Sequence, residues 1–241
     1  MNRTKIIATV GPGCDSKKEL QKLVELGVSC FRINLSHGSM KEKKNYFDLI
    51  KSLKTSQGLR PTILADIAGP KIRVKNIKED RSVKKGDVVT LSNEKNGGDI
   101  ISISKGIRFE KVNAGAKILI DDGRLSLEVQ ELSSSQTLIC TALNDGVIQQ
   151  KKGVNFPGVA LNVPVLTEQD EADLKLSLSE KADWLALSFV RSPDDYKILK
   201  EKINGEGYSV PIMAKIEKWE AVQNLDKIID SFDAVMVARG D

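Results

Sequence analysis

Three polar side chains stand two residues apart in the run Cys30-Phe31-Arg32-Ile33-Asn34-Leu35-Ser36. On a β-strand that spacing puts Arg32, Asn34 and Ser36 on one face and leaves Phe31, Ile33 and Leu35 for the other. An arginine, an amide and a hydroxyl on one surface can hold an anion; the competing reading is the solvated face of an edge strand. The spacing recurs in Lys215-Ile216-Glu217, where a lysine and a glutamate share a face at the end of another apolar run. Asp66 closes a third run and Asp241 a last one. Carboxylates gathered from several strand ends suit a hard cation, because magnesium takes one or two protein carboxylates and completes its octahedron with water and substrate oxygens. A lysine beside such a site can stabilise a transferring phosphoryl group. Against this stands a plain surface ion pair between Lys215 and Glu217.

Further cations fit a polyanionic ligand such as a nucleotide or phosphoester. Lys71 and Arg73 follow the Gly69-Pro70 turn, and Lys151-Lys152-Gly153 has the same character. Other chemistries find little support. There is no GxxxxGK[ST] loop, and "GPGCDS" has Ser16 where a dinucleotide fingerprint needs its third glycine. The sole histidine, His37, has no cysteine or serine arrangement that makes it half of a nucleophile dyad. Arg239-Gly240-Asp241 could be an adhesion tripeptide, but an apolar strand leads straight into it.

The elements that must position these groups alternate between short apolar runs and amphipathic helices. "KIIATV" (5–10) is the first expected strand, with Asp15 as the N-cap of a helix bearing Leu20, Leu23, Val24 and Leu26, and Gly27 just past its end. Residues 30–36 form the second strand, followed by a helix with Tyr46, Phe47, Ile50 and Leu53 closed by Gly58. "PTILADI" (61–67) is the third. Each reads as a continuous buried run, which favours a parallel sheet covered by helices. The rhythm returns with a helix capped by Thr167-x-x-Asp170, a strand over 184–190, and a helix opened by Ser192-Pro193. A strand over 211–217, a helix bearing Val222, Leu225, Ile228 and Ile229, and the final strand "AVMVA" complete the series.

Between 74 and 156 the helical period disappears. "KKGD", "NEKNGGD" and "KILIDDGRLSLEV" (117–129) read as hairpins, the last with Asp122-Gly123 as its turn. The expected architecture is therefore α/β: an incomplete (β/α)8 barrel with about six of its eight strands and an inserted small all-β domain. Residues 1–73 carry strands one to three, 74–156 the insertion, and 157–241 strands four to six.

Composition agrees with an ordinary globular chain of 241 residues and net charge +4. With aromatics at 5%, it lacks the interleaved basic and aromatic runs of a nucleic-acid binder. Cys14, Cys30 and Cys140 are scattered and odd in number, which fits reduced thiols in the cytoplasm. No stretch is long and apolar enough to span a membrane, and "MNRTKIIATVGP" has no secretory leader pattern.

Taken together, these pieces resemble the pyruvate kinase family over essentially the whole chain. The matching segments include "TKIIATVGP", "FRINLSHG", "GPKIR", "IDDGRLSL", "KKGVNFPG", "LTEQDEADL", "SFVRS", "AKIE" and "MVARGD". The resemblance implies a glycolytic phosphotransferase that passes the phosphoryl group of phosphoenolpyruvate to ADP, giving pyruvate and ATP. It implies that Arg32 binds the substrate phosphate and that Lys215 steadies the transferring group. Glu217 and Asp241 would ligate Mg2+, with the Gly240 backbone close to substrate. Arg73, Lys152, His37 and Asn34 fall at nucleotide-side positions. Asn34, Ser36, Asp66 and the Ile67 carbonyl fall where family members bind K+. However, potassium-dependent members read "DTKGPEIR", and here Ile67, Ala68 and Lys71 replace Thr, Lys and Glu. In the family, lysine at that last position goes with activity that does not require potassium, since a fixed ammonium can supply the monovalent charge.

The family also implies a homotetramer, two further barrel strands with a threonine tied to enol protonation, and a C-terminal regulatory domain. A chain lacking these is expected to be a truncation, weakly stable or aggregation-prone through unpaired strand edges, and inactive or nearly so alone. The alternative is a short non-catalytic paralogue that holds a phosphometabolite or pairs with a full-length subunit.

Overall fold

A computed structural model describes residues 4–94, 97–104, 106–159, 161 and 163–238. The chain divides into two compact units that change over at Gly69/Pro70 and Pro164/Val165, a few residues outside the segment 74–156. Its elements, in chain order, begin with β1 (Ile6–Val10), α1 (Lys17–Glu25), β2 (Val28–Asn34), α2 (Met40–Lys51) and β3 (Thr62–Ile67). The inserted unit carries β4 (Val74–Lys75), β5 (Arg81–Val83), β6 (Val88–Ser92), β7 (Ile100–Ile103), β8 (Lys117–Ile120), β9 (Leu125–Ser134), β10 (Thr137–Ala142), β11 (Gly146–Ile148) and β12 (Val154–Asn155). The first unit then resumes with α3 (Glu168–Ser179), β13 (Trp184–Leu187), α4 (Pro193–Gly205), β14 (Ile212–Ile216), α5 (Trp219–Gln223), α6 (Leu225–Ser231) and β15 (Ala234–Val237).

In the barrel unit six parallel strands run in the order β1-β2-β3-β13-β14-β15, with helices in the crossovers. This is a curled, incomplete (β/α)8 barrel. Central strands are apolar throughout because both their faces are covered: Ile63, Leu64, Ala65 and Ile67 of β3 are fully enclosed. Phe31, Ile33 and Leu35 pack into one core with Leu20, Phe47 and Ile50 of the helices, which leaves Arg32 and Asn34 on the other face of β2. The two edge strands differ from the expected buried run. Ile6 and Ile7 of β1 and Val235 and Val237 of β15 are exposed, Val237 at 79%.

Helix starts follow capping chemistry. The N-cap of α1 is Ser16, not Asp15: Ser16 and Glu19 form a capping box, and Asp15 has no glutamate three residues on to reciprocate. Ser39 and Glu42 do the same for α2, which ends at Ser52 well before Gly58. Thr167 and Asp170 cap α3, and Ser192 with Pro193 opens α4, both as the sequence indicates. The last crossover is not one helix. Asn224 divides α5 from α6 and spends its side-chain amide on the carbonyls of Arg191 and Glu220. Only Ile228 of the expected apolar stripe is buried; Val222 and Ile229 face solvent.

The inserted unit is a seven-stranded, nearly closed sheet in the order β12-β8-β9-β10-β6-β7-β4, plus a β5–β11 pair. An Arg73–Gly153 bridge and hydrogen bonds between Val74 and Lys151–Lys152 join its two ends, so few backbone groups are left unpaired. The β8–β9 hairpin turns through Asp121, Asp122 and Gly123, all with positive φ, a longer turn than the Asp-Gly pair alone. The other two expected hairpins are absent. β6 and β7 flank "NEKNGGD" but pair in parallel, and β5 and β6 flank "KKGD" but pair with β11 and with β10 and β7.

Candidate active site

Four charged groups meet where β2, β3 and β14 end. Arg32 lies on β2 opposite Leu64, two positions before the Asn34–Asp66 pair and on the same face of the strand as Asn34. Its Nε donates to Asp66 Oδ2 at 2.7 Å, and Nη1 donates to the Thr9 hydroxyl on β1 at 3.1 Å. Lys215, the fourth residue of β14, directs its ammonium at three acceptors: Ser188 Oγ at 2.8 Å, Glu217 Oε1 at 3.0 Å and Asp66 Oδ2 at 3.3 Å. An ammonium has three N–H bonds, so this set fixes its orientation.

Burial decides between the two readings of Lys215 and Glu217. Their side chains are only 9% and 2% exposed, so they are not a solvated surface pair. Two cations and two carboxylates balance in charge, which is the condition under which such groups can be held away from water. Arg32 keeps the greater access, with about a quarter of its side chain exposed.

Ser188 and Phe189 supply what periodicity could not show. The expected strand over 184–190 ends at Leu187, and the next two residues form a turn. Buried Ser188 accepts from Lys215 and donates toward the Ile67 carbonyl at 2.8 Å, with Asp66 Oδ1 at 3.3 Å. Phe189 N–H donates to Glu217 Oε2 at 2.9 Å. The available signals were a serine inside the otherwise apolar run "WLALSFV" and the matching segment "SFVRS". Asp170, expected as part of a helix cap, also accepts the Gly69 N–H through Oδ1 at 3.1 Å.

The family model described as "Pyruvate kinase, barrel domain" matches residues 1–241. The chain belongs to the pyruvate kinase family. Pyruvate kinase 2 of Synechocystis is 41% identical over 245 residues, covering 99% of this chain and 42% of that protein. A Clostridium perfringens pyruvate kinase is 38% identical, covering 100% of this chain and 52% of its own length. A crystal structure of a Cryptosporidium parvum pyruvate kinase superposes with a TM-score of 0.87 at 29% identity, covering 99% of this chain and 51% of that one. The chain thus spans about half the length of the pyruvate kinases it matches.

Of the residues singled out in the sequence, Arg32, Asp66, Lys215 and Glu217 form one connected cluster, with Ile67 joined through its carbonyl. Asn34 pairs in register with Asp66 on β3, and its Oδ1 accepts the Ser36 N–H at 3.1 Å. Ser36 lies past the end of β2 in an exposed turn, followed by exposed His37. Lys71, Arg73 and Lys152 belong to the inserted unit. There Arg73 donates to the Lys151 carbonyl at 2.9 Å and Lys152 pairs with Asp121 at 2.9 Å. Gly240 and Asp241 lie outside the described residues, so Glu217 is the described member of the expected magnesium pair. Among the described residues no three His, Cys, Asp or Glu side chains converge, and no helix is long and apolar enough to cross a membrane.

Proposed function

We propose that this chain carries the phosphoryl-binding half of a pyruvate kinase site, where the phosphoryl group of phosphoenolpyruvate passes to ADP. In that reaction the bond between phosphorus and the enol oxygen breaks, a bond to a β-phosphate oxygen of ADP forms, and the enol takes up a proton to become pyruvate. Such a transfer needs positioning and charge neutralisation more than a general base. The observation that carries the reading is the buried Arg32–Asp66–Lys215–Glu217 cluster. Arg32, partly open and anchored by Asp66, binds substrate phosphate. Lys215 meets the transferring group by giving up its longest contact, to Asp66 at 3.3 Å; Asp66 keeps Arg32 as its partner.

Glu217 fits a hard divalent ion: it is a carboxylate fixed by Lys215 and the Phe189 amide, with further lone pairs on both oxygens. Glu217 and Asp241 would hold Mg2+, which when bound neutralises charge on the phosphoryl oxygens. Arg73, Lys152, His37 and Asn34 are the nucleotide-side residues. Potassium is not required in this reading. What supports this is the residue at position 71, a lysine where potassium-dependent members of the family have glutamate, since a fixed ammonium can supply the monovalent charge.

The 241-residue chain binds phosphoenolpyruvate but does not turn it over at an appreciable rate. The test is a thermal-shift and calorimetric titration of the chain with phosphoenolpyruvate and MgCl2 in potassium-free buffer, with a coupled pyruvate assay alongside. Magnesium-dependent binding that Glu217→Gln and Lys215→Met abolish is expected. No binding at millimolar substrate would overturn the reading. Turnover with ADP on the scale of ordinary enzymes, about 1 s⁻¹ or more, would overturn the inactivity.

A further inference from the structure

We propose that the Ser188–Phe189 turn is the positioning element of this site, holding Lys215 through the Ser188 hydroxyl and Glu217 through the Phe189 amide. The inference rests on the roles of Lys215 and Glu217 given above and adds what sets them. Adjacent residues of one turn reach both groups: Ser188 Oγ lies 2.8 Å from Lys215 Nζ, and Phe189 N lies 2.9 Å from Glu217 Oε2. Lys215 and Glu217 also contact each other at 3.0 Å, so the turn fixes them as a pair.

The backbone adopts an unfavourable conformation to do this. Phe189 has φ +58°, a region where a bulky L side chain is a true outlier, and such strain persists only where surrounding structure over-determines it. The surroundings here do so. Lys218 Nζ lies 5.3 Å from the centroid of the Phe189 ring. Gly69, at φ +68°, rests on the turn so closely that a Cβ there would come 2.9 Å from the Ser188 carbonyl oxygen and 3.2 Å from Phe189 Cδ2. Asp170 holds Gly69 in place, since one carboxylate oxygen takes the Gly69 N–H while the other takes the Thr167 amide and hydroxyl at the start of α3. The exit of β3, the turn after β13 and the cap of α3 are thereby coupled to the aim of one ammonium and one carboxylate.

Ser188→Ala removes one of the three acceptors of the Lys215 ammonium and leaves the fold's apolar core untouched. Labelling with an amine-reactive reagent at one fixed pH, read at the Lys215 peptide by mass spectrometry, reports how far the side chain has been released from its partners. Lys43, buried and paired elsewhere with Asp173, is the internal control. Ser188→Ala is expected to raise Lys215 labelling about tenfold, the scale of one hydrogen bond to a charged group, with Lys43 unchanged. Ser188→Thr, which keeps the hydroxyl, should return it to within about twofold of wild type. Gly69→Ala, which pushes on the Ser188 carbonyl and the Phe189 ring but leaves the Ser188 hydroxyl in place, should reproduce the increase. Unchanged Lys215 labelling in Ser188→Ala, or an equal rise at Lys43, overturns the proposal. A Lys215-specific rise with unaltered affinity for phosphoenolpyruvate and Mg2+ upholds the positioning role and instead sinks the assignment of Lys215 to the phosphoryl group.

Discussion

Replacing Asp66 with asparagine keeps the shape of the side chain and removes one charge from a buried, balanced cluster. Asp66 is 2% exposed and faces Arg32 Nε at 2.7 Å and Lys215 Nζ at 3.3 Å. After the change two cations face one carboxylate, and Lys215 keeps only Glu217 as a charged partner. Breaking a buried pair by removing one partner typically costs about 3–5 kcal/mol, because the surviving charge stays desolvated. The Arg32 contact contributes the smaller share, since that guanidinium still reaches water. With a urea m-value on the order of 2 kcal/mol/M, the midpoint should fall by roughly 2 M. Tryptophan fluorescence is the appropriate probe, because the two tryptophans, Trp184 and Trp219, both lie in the barrel unit. The inserted unit therefore does not confuse the transition. Lys215→Met in the Asp66→Asn background should cost clearly less than in wild type, by at least about 1 kcal/mol of coupling. A loss under about 1 kcal/mol for Asp66→Asn, or additive single effects, would refute the idea that these charges stabilise one another.

The same fluorescence titration should show Lys43→Met losing about 3–5 kcal/mol, because the Lys43–Asp173 pair between α2 and α3 is almost wholly enclosed; Lys43→Met with Asp173→Leu should recover most of it. Burial pushes the Cys140 thiol up to about 12, and burial with the Asp183 charge pushes Cys30 up to about 11. At pH 8 iodoacetamide should therefore modify both at least about 100-fold more slowly than in the urea-unfolded chain, Cys140 the slower of the two, as read by peptide mass spectrometry. Because both folded values lie above the unfolded one, the associated stability is complete below about pH 8.5 and is lost as pH rises toward 11 and 12. A chevron or urea series showing greater stability at pH 10 than at pH 8 would contradict the sign. Finally, the exposed apolar edges of β1 and β15 should drive self-association, and Ile6→Lys with Val237→Lys should reduce it in light scattering while changing stability by about 0.5 kcal/mol or less.

Much of the barrel was legible because its signals are local. The buried strands β3, β13 and β14 show as apolar runs, and Thr167/Asp170 and Ser192-Pro193 mark helix starts by hydrogen bonds that span three residues. The misreadings occur where partners come from far along the chain. β6 and β7 look like a hairpin across "NEKNGGD", yet β6 takes β10 as its antiparallel neighbour and pairs with β7 in parallel. Asn224 interrupts an otherwise plausible amphipathic helix, partly through the carbonyl of Arg191, thirty-three positions earlier. The capping error at Asp15 is different in kind, because the glutamate at position 19 was visible and favours Ser16 by spacing alone.

The site divides along the same line. Arg32, Lys215 and Glu217 were legible because period-two spacing on buried strands forces polar groups onto one face, and a buried face must pair its charges. Nothing in that logic reaches Ser188 or Phe189. Their role depends on a strand that stops three residues early and on a positive φ that no residue type announces. Gly69 was legible as a turn residue, but its second property, the absence of a Cβ 2.9 Å from the Ser188 carbonyl, exists only once β3 and β13 are neighbours. Charge can thus be read from sequence because burial demands compensation wherever it occurs. Aim cannot, because it is set by short contacts between separate chain segments, 27 and 28 residues apart for Ser188–Lys215 and Phe189–Glu217 and 101 for Asp170–Gly69. The matching segments "GPKIR", "LTEQDEADL" and "SFVRS" contain Gly69, Asp170, Ser188 and Phe189 without saying what they hold, and those are where substitutions should change Lys215 and Glu217 without altering either.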